Sequence, residues 1–123
     1  MLLPVRNGAR HLSEAIGSLE AQTEPDFEVV VVDDGSTDDT PELLAEWAGR
    51  DARVQVMRQE ASGIVVALER AREAATGPYL ARMDADDVSH SERLSHQWAL
   101  MADDPGLVGC GCRIRYFPDA EIT

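Results

Sequence analysis

Cysteine is close to absent: Cys110 and Cys112 are the only two in 123 residues, spaced C-x-C in an apolar stretch. That is too few ligands for a zinc site and too few thiols for a disulfide framework, so the pair reads as buried free thiols. Long apolar runs are missing too. None approaches the roughly 20 residues that cross a bilayer, and Met1-Leu2-Leu3-Pro4 is far too short for a secretory signal. The location this predicts is the cytoplasm, with a peripheral seat on the inner face of the membrane as its variant. Positive charge is the third shortage: eleven Lys and Arg face 23 Asp and Glu, a formal net charge of -12. Such a field repels phosphate backbones over about a Debye length, roughly 8 to 10 Å, and excludes nucleic acid as a partner. A small phosphorylated ligand is compatible with it only where a bound cation or helix N-termini reverse the sign locally.

What remains is the balance of a globular protein, 44% hydrophobic and 28% charged, in a length that fits one domain. Two apolar β-rich runs, 28–32 and 79–83, each end in an acidic cluster. Around them the apolar period is helical. Leu12, Ala15, Ile16 and Leu19 form one stripe after the Asn7-Gly8 turn. Thr40 and Pro41 cap a helix to about Ala48 with Leu43, Leu44, Trp47 and Ala48 on its buried face. Residues 54–57 alternate like a short strand. Ile64, Ala67, Leu68, Ala71 and Ala75 trace a third helix ended by Gly77-Pro78, and Ser89-x-x-Glu92 reads as a capping box opening a fourth, with Leu94, Trp98 and Met101 on one face. Residues 107–114 read as a last strand. Strands separated by helices predict an α/β protein with a mostly parallel, doubly wound sheet and helices on both faces. The brief first strand, in residues 1–5, and the stop at Thr123 lead us to expect a truncated domain.

Ligands of such sheets sit beyond the carboxyl ends of the strands, where both acidic clusters fall. Asp84, Asp86 and Asp87 crowd three carboxylates into four residues, and a cation would relieve their repulsion. Mg²⁺ and Mn²⁺ suit oxygen ligands and typically take one or two carboxylates plus substrate phosphates. The bland reading is an acidic turn that caps the next helix, and it applies to Asp33-Asp34-Gly35-Ser36-Thr37-Asp38 as well. Neither run has the ligand spacing of an EF-hand.

Three ordered motifs, Leu3-Pro4-Val5-Arg6-Asn7-Gly8, then Val31 to Thr40 (VVDDGSTDDT), then Ala81 to Asp87 (ARMDADD), resemble the N-terminal half of glycosyltransferase family 2. Glu92-Arg93-Leu94, Gln97, Asp104-Pro105 and Gly109-Cys110 resemble its continuation, so the likeness spans nearly the whole chain. It implies a Rossmann-like GT-A fold, with residues 1–123 as the nucleotide-sugar-binding half. It further implies transfer of a sugar from a UDP- or GDP-linked donor to a hydroxyl acceptor, a glycan or lipid-linked sugar, by inversion. Pro4 and Val5 would wall the nucleobase; Asp33 or Asp34 would accept hydrogen bonds from base or ribose. Asp84 would face the ribose or phosphates. Asp86 would be the principal ligand of Mg²⁺ or Mn²⁺, with Asp87 in support and Arg82 pairing with a nearby carboxylate. A divalent metal would act as Lewis acid toward the leaving diphosphate. The carboxylate base usually follows Asp-x-Asp in these enzymes, and no residue here is assigned to it. One departure stands out: many relatives carry Ala-Arg-Asn in the third helix, where this chain has Leu68 and Glu69 at the Arg and Asn positions.

Two other classes compete. A truncated, noncatalytic module would self-associate through an exposed sheet edge. A metal-dependent nucleotidyltransferase would need a glycine-rich phosphate loop, for which Asn7-Gly8-Ala9-Arg10 is a weak candidate. His11, His90 and His96 are scattered and read as surface or capping residues, and Trp47 and Trp98 as core.

Overall fold

The computed structural model describes residues 1–116. Strands β1 (Leu2–Val5), β2 (Val29–Asp34) and β3 (Val54–Gln59) form a parallel sheet in the order β1-β2-β3, with Leu3 opposite Val31 and Val31 opposite Val56. Helices α1 (Ala9–Glu20), α2 (Thr40–Arg50), α3 (Ile64–Ala74) and α4 (Arg93–Asp103) complete the described elements. On the far side of β1 the chain near Arg82 runs parallel to Leu2 through one bridge. There the Leu2 N–H donates to the Ala81 carbonyl (2.7 Å) and the Met83 N–H to the Leu2 carbonyl (3.1 Å).

The sheet is covered on both faces, which is why β2 is a continuous valine run rather than an alternating one. Val29 and Val31 pack with Leu12, Ala15, Ile16 and Leu19 of α1 and with Leu44 and Trp47 of α2. Val30 and Val32 pack on the opposite face with Ala67 and Ala71 of α3. Each fully buried valine contributes about 1.5–3 kcal/mol relative to exposure. This is the expected doubly wound arrangement.

Several expectations fail for identifiable reasons. Residues 79–83 make only the single bridge, and Tyr79 and Leu80 at their start are exposed. Residues 107–114 form no strand: an apolar run becomes one only beside a partner whose N–H and C=O groups it can satisfy, and Val108 and Ile114 lie exposed. Cys112 is likewise exposed and Cys110 half-buried, so neither is a core thiol. Trp47 is core, but Trp98 is half exposed, edge-on to Tyr79 at 5.1 Å between ring centroids.

The capping box does not form either. Helix α4 starts at Arg93 without a side-chain cap, and the Ser89 N–H donates instead to the Ser18 hydroxyl (3.0 Å). Its place is taken by buried Gln22, just past α1. The Gln22 amide nitrogen donates to the His90 carbonyl (2.8 Å) and the Ser89 hydroxyl (3.2 Å), while its oxygen accepts from the Leu94 N–H (3.1 Å). One side chain thereby clamps the stretch after Asp87 onto α1. Gln22→Leu keeps the volume but strands these groups, so a loss of about 2 kcal/mol in urea unfolding is expected. A change under 0.5 kcal/mol would show that the clamp is redundant.

Candidate functional site

The carboxyl ends of β1 and β2 are fastened together by a buckle of short polar side chains. Asn7 adopts a left-handed conformation (φ 51°), and its side-chain oxygen accepts from the Thr37 N–H at 2.8 Å. In return the Asn7 N–H donates to the Ser36 hydroxyl (2.9 Å), the Gly8 N–H to the Thr40 hydroxyl (2.9 Å) and the Ala9 N–H to Asp38 (3.1 Å). Ser36, Thr37, Asp38 and Thr40, half of the Asp33–Thr40 motif, are thus spent on positioning the turn from β1 to α1. Two glycines make it possible. A Cβ on Gly8 would stand 2.7 Å from a Val5 methyl; one on Gly35, at φ +75°, would stand 2.8 Å from the Ala61 nitrogen.

The two aspartates that end β2 have separate fates, because successive side chains of a strand point to opposite faces. Asp33 lines neither cavity described below. It is buried, accepts from the Ser36 N–H (2.9 Å), and faces the Arg58 guanidinium (3.4 Å), its cross-strand neighbour on β3. Asp33 is thus a buried partner of Arg58 across the sheet. Asp34 lies on the α3 side. One of its oxygens accepts from the Gln59 amide and the Ser62 N–H, the other from the Gly63 N–H, all at 2.8 Å. The Ser62 N–H foremost, then the Gln59 amide, hold its carboxyl below the usual range against the opposing effect of burial; the Gly63 N–H and the Arg6 charge add to this.

Asp84, Ala85, Asp86 and Asp87 follow the bridged segment beside β1. Asp84 pairs with Arg82 at 2.9 Å, and Arg82 is held from behind where Arg93 donates to its carbonyl (2.9 Å). Ala85 is buried, and its methyl lies beside Gly8, where an added Cβ would stand 3.6 Å away in ordinary contact. Burial first, then the charges of Asp86 and Asp84, push the Asp87 carboxyl up. Among the described residues no three His, Cys, Asp or Glu side chains converge as a metal cage. The donor set fits instead a hard cation that takes one or two carboxylates and completes its shell with phosphate and water.

Two cavities open at these strand ends and share Pro4, Val5, Arg6 and Ile64 as walls. The larger, about 380 Å³, is bounded further by Asn7, Gly8, His11, Asp84, Ala85 and Asp86; the smaller, about 270 Å³, by Asp34, Gly63 and Ala67. Together they are of the size that takes a small organic ligand, roughly 300–1,000 Å³. Asp34 and Asp86 thus border adjoining spaces, and Asp87 lines neither. Sequence reasoning overlooked Arg6, His11 and Ile64. Position after a strand's last apolar residue was a usable signal for Arg6; for His11 and Ile64 only the docking of α1 and α3 supplies it.

The sequence matches the family described as glycosyl transferase family 2 over residues 1–122, and the chain belongs to that family. The uncharacterized glycosyltransferase EpsJ of Bacillus subtilis is 34% identical over 90% of the chain, which covers 33% of EpsJ. The bifunctional glycosyltransferase pgtA of Dictyostelium discoideum is 35% identical over 94% of the chain, 16% of pgtA. The chain therefore spans a third or less of these two relatives. Among solved structures, S. aureus TarS 1-349 in complex with UDP superposes with a TM-score of 0.79 at 27% identity, over 92% of this chain and 37% of that one. The mannosyltransferase PcManGT of Pyrobaculum calidifontis, in complex with GDP-Man and Mn²⁺, gives 0.78 at 31% identity over 85% and 32%. The fold is accordingly the Rossmann-like GT-A fold.

Proposed function

We propose that the chain is the donor-binding part of an enzyme that moves a sugar from a nucleoside diphosphate to a hydroxyl acceptor. The observation that carries this reading is the pair of cavities with common walls, one bordered by Asp34 and the other by Asp84 and Asp86, at the carboxyl edge of a parallel sheet. Pro4 and Val5, at the shared wall, flank the base. Asp34 accepts from base or ribose with lone pairs its three structural bonds leave unused. Asp84 faces the ribose or phosphates, and Asp86, with Asp87 behind it, holds a divalent cation, Mg²⁺ or Mn²⁺. When bound, that ion supplies Lewis-acid stabilisation of the departing diphosphate. The protein's own residues orient the donor, exclude water from its base and keep carboxylates aimed at its anionic end. The relatives that bind UDP, UDP-GlcNAc and GDP-Man support this donor class. We extend the reading to inversion at the anomeric carbon with a glycan or lipid-linked hydroxyl as acceptor; the carboxylate base this requires is not assigned to the donor-side aspartates.

Calorimetric titration of UDP and of GDP, with Mn²⁺ and with EDTA, tests it. Binding of at least one nucleotide is expected, tightened by Mn²⁺. A folded preparation that shows no metal-linked binding of either overturns the reading.

A further inference from the structure

Arg6 is the one cation, among the described residues, that lines the cleft, and it borders both cavities. The arginines nearest the strand ends are engaged elsewhere. Arg58 donates to the Ser36 carbonyl (2.8 Å), Arg70 to the Arg58 carbonyl (3.0 Å), Arg72 pairs with Glu69 and Arg82 with Asp84. Arg6 is exposed and makes no hydrogen bond or ion pair with another described residue. Its backbone, by contrast, is fixed on both sides: Val5 is paired with Asp33 in the sheet, and Asn7 and Gly8 are bonded to Ser36 and Thr40. The result is an exposed guanidinium on a stem held by the sheet and the turn.

Of the carboxylates that line the same cavities, Asp34 already accepts from three donors, Asp84 pairs with Arg82, and Asp86 is the metal ligand of the reading above. In a chain of net charge -12, an exposed arginine that feels Asp34 only at a distance and forms no ion pair among the described residues is placed to meet an anion from outside. Its fork of donors matches phosphate oxygens two at a time. With the base against Pro4 and Val5 on the Asp34 side and the metal-bound end of the diphosphate at Asp84 and Asp86, the stretch that passes Arg6 is the ribose and its first phosphate, within reach of a long side chain.

Resting on the donor-binding reading above, we propose that Arg6 is a phosphate-binding residue that grips the diphosphate at the wall between the two cavities and supplies a metal-independent share of donor affinity. The test compares the chain with Arg6→Gln and Arg6→Lys for UDP and GDP against uridine and guanosine, in EDTA and in Mn²⁺, with melting temperature followed throughout. Arg6→Gln should weaken nucleoside diphosphate binding on the order of tenfold in both media, the low end for bonds to charged groups. Nucleoside affinity and melting temperature should not move, and Arg6→Lys should recover part of the loss. Equal losses for nucleoside and diphosphate, or an unchanged diphosphate affinity, would overturn the assignment while leaving the functional reading intact. An unsubstituted chain that binds neither diphosphate sinks both.

Discussion

Asp34→Ala is expected to lower the unfolding free energy by about 3 kcal/mol at neutral pH. Three hydrogen bonds to a buried carboxylate are lost together, and bonds to charged groups contribute about 1.5–3 kcal/mol each before non-additivity is allowed for. Water entering the loop will re-satisfy some of these donors, which brings the sum down. Asp34→Asn should cost roughly half as much, since one oxygen remains to accept. The effect carries a pH signature whose sign follows from the depressed carboxyl. A group with a lowered native pKa stabilises fully above its unfolded value, about 3.9, and that stability is lost as pH falls through the native value. The gap between the chain and Asp34→Ala should hold steady from pH 5 to 7 and close below about pH 4. Urea unfolding across that range is the measurement. A difference under 1 kcal/mol at pH 7 would mean that the loop from Gln59 to Gly63 holds its place without the carboxylate.

That expectation depends on a role for Asp34 that periodicity does not reveal. Helices α1, α2 and α3 and the valine strand were legible, because an apolar stripe of period 3.6 and an unbroken β-branched run each have essentially one way to bury themselves. The approximate position of the cleft was legible for the same reason: strands ending in carboxylates in a parallel sheet put those carboxylates on one edge. Partnership across distance was not. Asn7 with Thr37, Gln22 with Leu94 and Asp34 with Gly63 join residues far apart in the chain, and nothing in a short polar side chain announces which remote N–H it will meet. Asp33 and Asp34 could be assigned to opposite faces from alternation alone. That Asp33 meets Arg58 while Asp34 opens on a cavity depends on what β3 and α3 bring alongside. Residues 107–114 failed for the converse reason, since their apolar character promised a strand that no neighbour among the described residues completes.

Asp86→Ala should abolish most of the gain that Mn²⁺ gives to nucleoside diphosphate binding, a loss on the order of 100-fold, at the top of the 10–100-fold range for residues that only orient metal ligands. Asp84 is partly neutralised by Arg82, and Asp87 lies outside both cavities with its carboxyl pushed up by burial and its neighbours. Asp86 is therefore the one of the three that both lines a cavity and has no ion-pair partner among the described residues. The sign in EDTA should be the reverse. With no cation bound, the Asp86 charge only repels the diphosphate, so its removal should leave metal-free affinity unchanged or tighten it about twofold, an effect of the size expected for charges in a largely solvated site. This crossing pattern separates a metal ligand from a structural residue, whose loss would weaken binding in both media. The side chain is exposed, so the melting temperature should stay within about 2 °C of the parent. Unchanged Mn²⁺-linked affinity in Asp86→Ala would transfer the cation to Asp84 or Asp87, and the Asp84→Ala counterpart distinguishes these two.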